Sequence, residues 1–312
     1  FDFIDYFFCW GIREPNILKK IFKKKTKFVN VGSPRIDLLN KKYYLNKNKS
    51  NFLQRYDLKK YILLSSNISF PIGLRRIPEA YFFFMESDDD NLHFEWKEDF
   101  FFNSNIQQLI LLKHYIRLIR YLLKNQNKYS VVIRPHPTER IEDWKNMIGI
   151  DSKNLKIIKK NSLSEFIFFS EVLIQNGCTS SIESKILGKK TITFEPIKFN
   201  INYGRDFPNS LGKKCTNALE VLRCVKNLDK INFDTRKEYI KELKYRLNYD
   251  DQKLSSTKII EVFDILNKKL KKQNNFFIHN KITLMRKLKE RVKFFLHRLL
   301  NHKTTKEIFY EK

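Results

Sequence analysis

The stretch YSVVIRPHPTER, residues 129–140, decides how this chain is read. Val131, Val132 and Ile133 form a short, wholly apolar, β-branched run, the pattern of a strand buried on both faces. The run ends at Arg134 and at a histidine bracketed by prolines. Pro135 and Pro137 each fix φ and push the preceding residue into extended geometry, so His136 is held in a stiff, non-helical loop. Thr138 or Glu139 then opens a helix that passes Trp144 and ends near Ile148. An imidazole and a guanidinium at the carboxyl end of a buried strand stand where an open α/β sheet binds its ligand. In isolation, a histidine–proline pair reads better as a rigid turn with a surface histidine. The strand–loop–helix context brings the site reading level with it.

Outward from that stretch the pattern alternates. YILLSSN at 61–67 is a second buried strand ending in small polar residues, with Ser65 at its cleft end. Between 105 and 123, Ile106, Leu109, Leu112, Ile116, Ile119 and Leu122 recur at helical spacing. A strand follows at 155–158. A helix opens at Asn161 or Ser162, with Glu165 completing a capping box on Ser162, and another strand occupies 171–175. Strand and helix taking turns predict a parallel, doubly wound sheet. Earlier, residues 28–31 read as a strand, Gly32, Ser33 and Pro34 as a turn, and Arg35 to Asp37 as the start of a short helix.

A second motif, QNGCTSSIESKILGKK, spans 175–190: strand, glycine turn, hydroxyl-rich helix start, then Gly188 and a strand at 191–194. The physics suits a phosphate. Exposed amides of the Asn176–Gly177 turn, the positive end of the helix dipole and the hydroxyls of Thr179, Ser180 and Ser181 converge on one spot. Glu183, one turn in, is placed to accept hydrogen bonds from a ribose diol. Ordinary N-capping by Thr179 or Ser180 is the alternative.

The 312 residues, 42% hydrophobic, suffice for two modest domains with cores. The aromatic start at Phe1 carries Asp2 and Asp5 and lacks the basic lead of a signal peptide, so a fragment or processed chain is expected. The formal charge of +27 suggests an acidic partner, or a genome-level bias towards Lys, Asn, Ile and Phe. The four cysteines lack metal-ligand spacing and fit free thiols in a reducing compartment. Asp88, Asp89 and Asp90 invite a metal reading, but no apolar strand precedes them, and a solvated loop or helix cap is the better account. A loop at 199–214 containing Tyr203-Gly204-Arg205-Asp206 is placed to lie over the cleft, and 216–248 and 253–272 are helical. From 253 onward there are 16 Lys or Arg against 5 Asp or Glu, a net of +11. The amphipathic segment at 281–300 either lies on an anionic membrane or packs back on the core. The domains expected are 1–45 as the end of an N-terminal acceptor domain, 46–250 as a Rossmann-like donor domain, and 251–312 as a basic helical extension.

With these motifs in hand, the chain resembles the bacterial surface carbohydrate (surface polysaccharide) biosynthesis family, a GT-B-like glycosyltransferase group. That group is similar in its C-terminal half to capsule Kdo transferases and CDP-glycerol glycerophosphotransferases. The resemblance runs from about residue 10 to 196. Gly32-Ser33-Pro34-Arg35-Ile36-Asp37 matches the family's glycine–x–proline–arginine–x–aspartate element, putting Arg35 and Asp37 at the acceptor side or domain junction. Residues 176–183 resemble the sugar-nucleotide loop of GT-B enzymes, including the non-hydrolysing UDP-GlcNAc 2-epimerases. The resemblance implies that His136 and Arg134 face the donor phosphate. It also implies that Asn176, Gly177, Thr179, Ser180, Ser181 and Ser65 line the nucleotide site, and that Glu183 holds the ribose. Two departures stand out. Most of the acceptor domain that the resemblance implies is expected to fall before Phe1, outside this sequence, and Ile182 stands in the first of the epimerase's twin-glutamate places, which counts against epimerase chemistry.

The function these readings predict is transfer of a sugar or polyol phosphate from a nucleotide-activated donor to a glycan or lipid-linked acceptor. No metal or other cofactor is expected, and the enzyme would work in the cytoplasm, at the inner membrane's cytoplasmic face if the basic helices bind there. The competing reading is a non-catalytic subunit of a polysaccharide assembly complex with a decayed donor site. Nucleic acid is not an expected partner, because no recognition module is present and aromatics do not interleave with basic residues for base stacking.

Overall fold

The computed structural model describes residues 4–21, 26–68, 94–201, 203–233, 237–248 and 253–271. The chain divides into two compact units, 1–255 and 256–312. In the first, β1 (Tyr6–Cys9) and β2 (Lys27–Asn30) pair in parallel as a separate two-stranded sheet, joined by α1 (Arg13–Ile21). Three short helices follow: α2 (Pro34–Asp37), α3 (Lys42–Leu45) and α4 (Lys49–Arg55).

The main sheet begins at β3 (Tyr61–Ser65) and continues with α5 (Phe94–Asn125), β4 (Ser130–Arg134), α6 (Ile141–Ile148), β5 (Leu155–Ile157) and α7 (Leu163–Phe169). After these come β6 (Val172–Gln175), α8 (Ser180–Ile186), β7 (Thr191–Phe194), α9 (Asp206–Ser210), β8 (Lys213–Cys215), α10 (Ala218–Lys226) and α11 (Lys237–Leu247). Six strands run parallel in the order β5-β4-β3-β6-β7-β8. The chain moves outward on one side of β3, then returns to its other side at β6. That reversal makes the carboxyl ends of β3 and β6 the topological switch point, where doubly wound sheets open a crevice.

Because successive strand residues point to opposite faces, β3 serves two cores. Ile62 and Leu64 face a cluster with Val131, Ile133, Val172, Ile174, Ile192 and Phe194, covered by α5, α6 and α10. Tyr61 and Leu63 face a second cluster with Val132 and Leu173, covered by Phe52, Phe166, Phe169, Leu187 and Leu243. Ile36, Leu39 and Tyr44, ahead of the expected boundary at 45/46, belong to this second cluster.

Several local expectations shift. The helix after the histidine loop starts at Ile141 and not at Thr138 or Glu139, with Arg140 extended at its N-cap. Ser162 caps α7 by backbone geometry alone; its hydroxyl meets Ser164 Oγ, and Glu165 pairs with Lys47, so no capping box forms. On α5 the buried stripe is Leu111, Leu112, Tyr115, Leu118, Ile119 and Leu122, while Ile106 and Leu109 are exposed. β8 carries two exposed lysines and one buried cysteine, too weak a pattern to read as a strand. Asp88, Asp89 and Asp90 and the basic segment at 281–300 lie outside the described residues. In the second unit the described residues continue one helix, α12 (Ser255–Lys271). No helix among the described residues is long and apolar enough to cross a membrane.

Candidate functional site

The loop after β4 is a tight turn. Pro137 and Thr138 occupy its centre, and the Glu139 amide donates to the His136 carbonyl at 2.9 Å. Proline in the first central position pre-sets the φ such a turn needs. The Glu139 carboxyl, 1% exposed, then gathers four donors. One oxygen accepts from Ser66 Oγ at 2.7 Å and the Ile68 amide at 3.0 Å. The other accepts from the His136 amide at 3.0 Å and Trp144 Nε1 at 2.8 Å. One side chain therefore ties the histidine loop to the segment leaving β3 and to α6.

His136 is half-buried. Its Nδ1 lies 2.8 Å from Thr138 Oγ1 and 3.4 Å from the Thr138 amide, which donates to it. An Nδ1 that accepts puts the ring proton on Nε2, so Nε2 is the donor this loop presents.

Sequence reasoning turns Arg134 towards a donor phosphate, but the structure gives it other partners. Its guanidinium donates to the carbonyls of Ile158 (2.9 Å), Lys160 (2.6 Å) and Asn161 (2.8 Å), and stacks 4.7 Å from the Phe166 ring. The loop between β5 and α7 offers three carbonyls with no strand to pair them, and the rigid guanidinium fork satisfies all three. Burial lowers the Arg134 pKa from its usual value.

At the exit of β6, Asn67 Nδ2 donates to the Gly177 carbonyl at 3.1 Å, and Ser65 Oγ lies 3.4 Å from Cys178 Sγ. The loops after β3, β4 and β6 are thus linked across the switch point. The Gly177 amide, which the sequence presented as open to a phosphate, already donates to Asn209 Oδ1 (2.6 Å), and the next amide, of Cys178, donates to Gln175 Oε1 (2.9 Å). Of the three hydroxyls, Thr179 is exposed, Ser181 donates to the Cys178 carbonyl, and Ser180 is fully buried without a partner. Asn176 donates to the Phe194 carbonyl at 2.7 Å while its Oδ1 is buried and unpaired. Neither Thr179 nor Ser180 caps α8 through its side chain.

Glu183 is 7% exposed, and its carboxylate meets Arg35 Nη2 at 2.9 Å. Burial raises the Glu183 pKa, and Arg35 partly offsets this through its charge and hydrogen bond. The arginine of the GSPRID element therefore stands against the residue expected to hold a ribose. Asp37 of the same element accepts from the Ser255 amide at 2.8 Å.

Sequence reasoning missed the Glu139 hub, although an acid three residues beyond a histidine at a strand exit was its signal. It also missed Gln107, Asn67 and Asn209, whose roles depend on partners far along the chain.

No protein-family model and no curated protein matches this chain. Solved structures do. The wall teichoic acid polymerase TagF is 19% identical over 87% of this chain and 59% of its own, with a TM-score of 0.50. A TagF variant soaked with CDPG matches at 18% identity over the same shares, also with a TM-score of 0.50. The UDP-GlcNAc 2-epimerase of Methanocaldococcus jannaschii is 17% identical over 84% of this chain and 61% of its own, with a TM-score of 0.43. The chain spans about three fifths of the length of these proteins. The doubly wound parallel sheet and the TagF likeness give this chain a GT-B-like α/β fold.

Proposed function

We propose that the chain carries the donor site of a glycosyltransferase-like enzyme of surface polysaccharide biosynthesis. It takes a nucleotide-activated sugar or polyol phosphate as substrate and transfers it to a glycan or lipid-linked acceptor in the cytoplasm, beside the inner membrane. The observation that carries this reading is the joining of three strand-exit loops at the switch point. Around that crevice stand a proline-locked histidine, a buried glutamate and two buried polar atoms, Asn176 Oδ1 and Ser180 Oγ, that lack partners. Buried polar groups are almost always satisfied, so two orphans in this turn and helix start set it apart from ordinary packing. TagF, a wall teichoic acid polymerase, adds a chemical precedent for polymer building on this fold.

In this reading His136 Nε2 donates to a phosphate oxygen of the departing nucleotide, where charge grows as the bond to the transferred group breaks. A preorganised donor at that position stabilises the transition state. Glu183 exchanges Arg35 for ribose hydroxyls. Arg134 is a positioning residue that fixes the loop between β5 and α7.

Calorimetry with CMP, CDP and UDP tests the site, with micromolar to millimolar binding of at least one expected. His136→Ala should lower turnover by about 10²-fold, the scale of losing one preorganised donor, with unchanged melting. A folded wild-type protein that binds none of the three is instead a non-catalytic subunit with a decayed site.

A further inference from the structure

Arg205 stands at the entry of α9, and only 9% of it is exposed. Its Nη1 donates to Gln107 Oε1 at 3.1 Å, and the guanidinium lies 5.9 Å from the Phe199 ring. Among the described residues no carboxylate pairs with it. Buried charges are normally paired, because leaving one uncompensated in a low-dielectric setting is costly.

Its position gives that exception a meaning. The Arg205 stem packs directly on Gly177, at the turn leaving β6. A Cβ built on Gly177, whose φ is +61°, would fall 2.3 Å from Arg205 Cγ and 2.7 Å from Cδ. Gly177 is the residue whose carbonyl accepts from Asn67 across the switch point. The missing side chain therefore gives the Arg205 stem its room beside the β6 exit, one residue from the orphaned Asn176 Oδ1. Tyr115 and Tyr203 lie within electrostatic reach of it, and burial is the main cause lowering its pKa. Arg134, the other buried arginine of the region, has three of its five N–H donors, both on Nη1 and one on Nη2, taken by carbonyls of the loop between β5 and α7.

We propose that Arg205 is the phosphate-binding cation of the crevice, pairing with the diphosphate of a nucleoside diphosphate moiety; this rests on the donor-site reading above. A planar fork of N–H donors matches two phosphate oxygens at once, and Gln107 fixes its plane through one nitrogen and leaves the others for the ligand. Gly177 is then required for two reasons: its positive φ, and the space its absent side chain leaves for Arg205.

The test is calorimetry of wild type, Arg205→Met and Arg205→Lys with CDP, UDP, the matching nucleosides and inorganic pyrophosphate. Wild type should bind the diphosphates more tightly than the nucleosides. Arg205→Met, which keeps the apolar stem on Gly177, should weaken diphosphate binding about 10- to 100-fold, the size of one lost charge-assisted hydrogen bond. Nucleoside binding should stay unchanged. A merely structural arginine would weaken both alike or neither. Should Arg205→Met not fold, Arg205→Lys decides, with a weaker diphosphate and an unchanged nucleoside as the supporting result. Diphosphate binding equal to wild type in a folded Arg205→Met protein overturns this inference and leaves the donor site standing. Wild type that binds pyrophosphate through Arg205 but no nucleotide overturns the donor-site reading and leaves the anion site. Wild type that binds none of the probes overturns both.

Discussion

Glu139 and Glu183 are both buried carboxyls, yet their surroundings assign them opposite jobs. Glu139 is surrounded by four donors and holds loops in place. Glu139→Ala would leave those donors without acceptors inside the protein. At roughly 1–3 kcal/mol for each unsatisfied group, and allowing for some relaxation, the loss should be at least about 3 kcal/mol in urea unfolding. Glu139→Gln should not rescue it, because the amide nitrogen would face two of the four donors. Glu183 has one partner, Arg35, whose side chain is 71% exposed. Its folded pKa lies above the ordinary carboxylate value, so the fold favours the protonated form. The associated stability is fully present below the unfolded pKa and is lost as pH rises through the folded one. Arg35→Gln removes both influences that hold this pKa down, so the loss should deepen. Wild type and Arg35→Gln should converge in melting temperature near pH 4 and separate by neutral pH. Solvent screening at the exposed arginine limits the gap to about 1 kcal/mol. A gap independent of pH would mean that the pair does not set the Glu183 titration.

At the scale of elements, the turn between β6 and α8 carries the strictest requirement. Gly177→Ala combines a positive φ with a Cβ that Arg205 already excludes, so it should destabilise the protein by more than the roughly 1 kcal/mol of an ordinary glycine-to-alanine strain. Gly204→Ala, at φ +78° with nothing within 4 Å of its Cβ, isolates the backbone part of that cost. The gap between the two in chemical denaturation measures the Arg205 contact. Such elements were readable in the sequence to different depths. β3, β4, β6 and β7 are fully buried, so their apolar content identified them whatever their partners. β8 escaped because a lysine-rich edge strand exists only through pairing with β7. The residue types of the site were legible because proline, glycine and small polar residues act locally. Their partners were not. Arg134 and an anion-binding arginine look the same in sequence, and only the loop at 158–161 settles what its fork meets. Glu183 and Arg35 are 148 positions apart, a separation across which no spacing rule operates.

The chain as a whole carries a formal charge of +27, and that charge opposes the fold it is built on. Net charge of this size repels itself in the compact state. Raising sodium chloride from about 0.01 M to about 0.15 M shortens the screening length from about 30 Å to about 8 Å. Repulsion between like charges separated by distances in that window is screened. Contact pairs such as Lys47–Glu165 at 2.9 Å and Lys156–Asp57 at 2.6 Å sit well inside either length and are worth little individually. Repulsion should therefore fade faster than attraction, and the melting temperature should rise with salt. A gain of about 1 kcal/mol corresponds to roughly 2–4 °C in a unit of this size. A fall with salt would show that the surface ion pairs outweigh the net charge. Phosphate at matched ionic strength separates this general effect from a specific one. If the switch-point crevice binds anions through Arg205, phosphate should raise the melting temperature beyond chloride in wild type. In Arg205→Met that excess should vanish while the chloride response stays the same, because removing one charge in a net of +27 barely changes the field of the whole molecule.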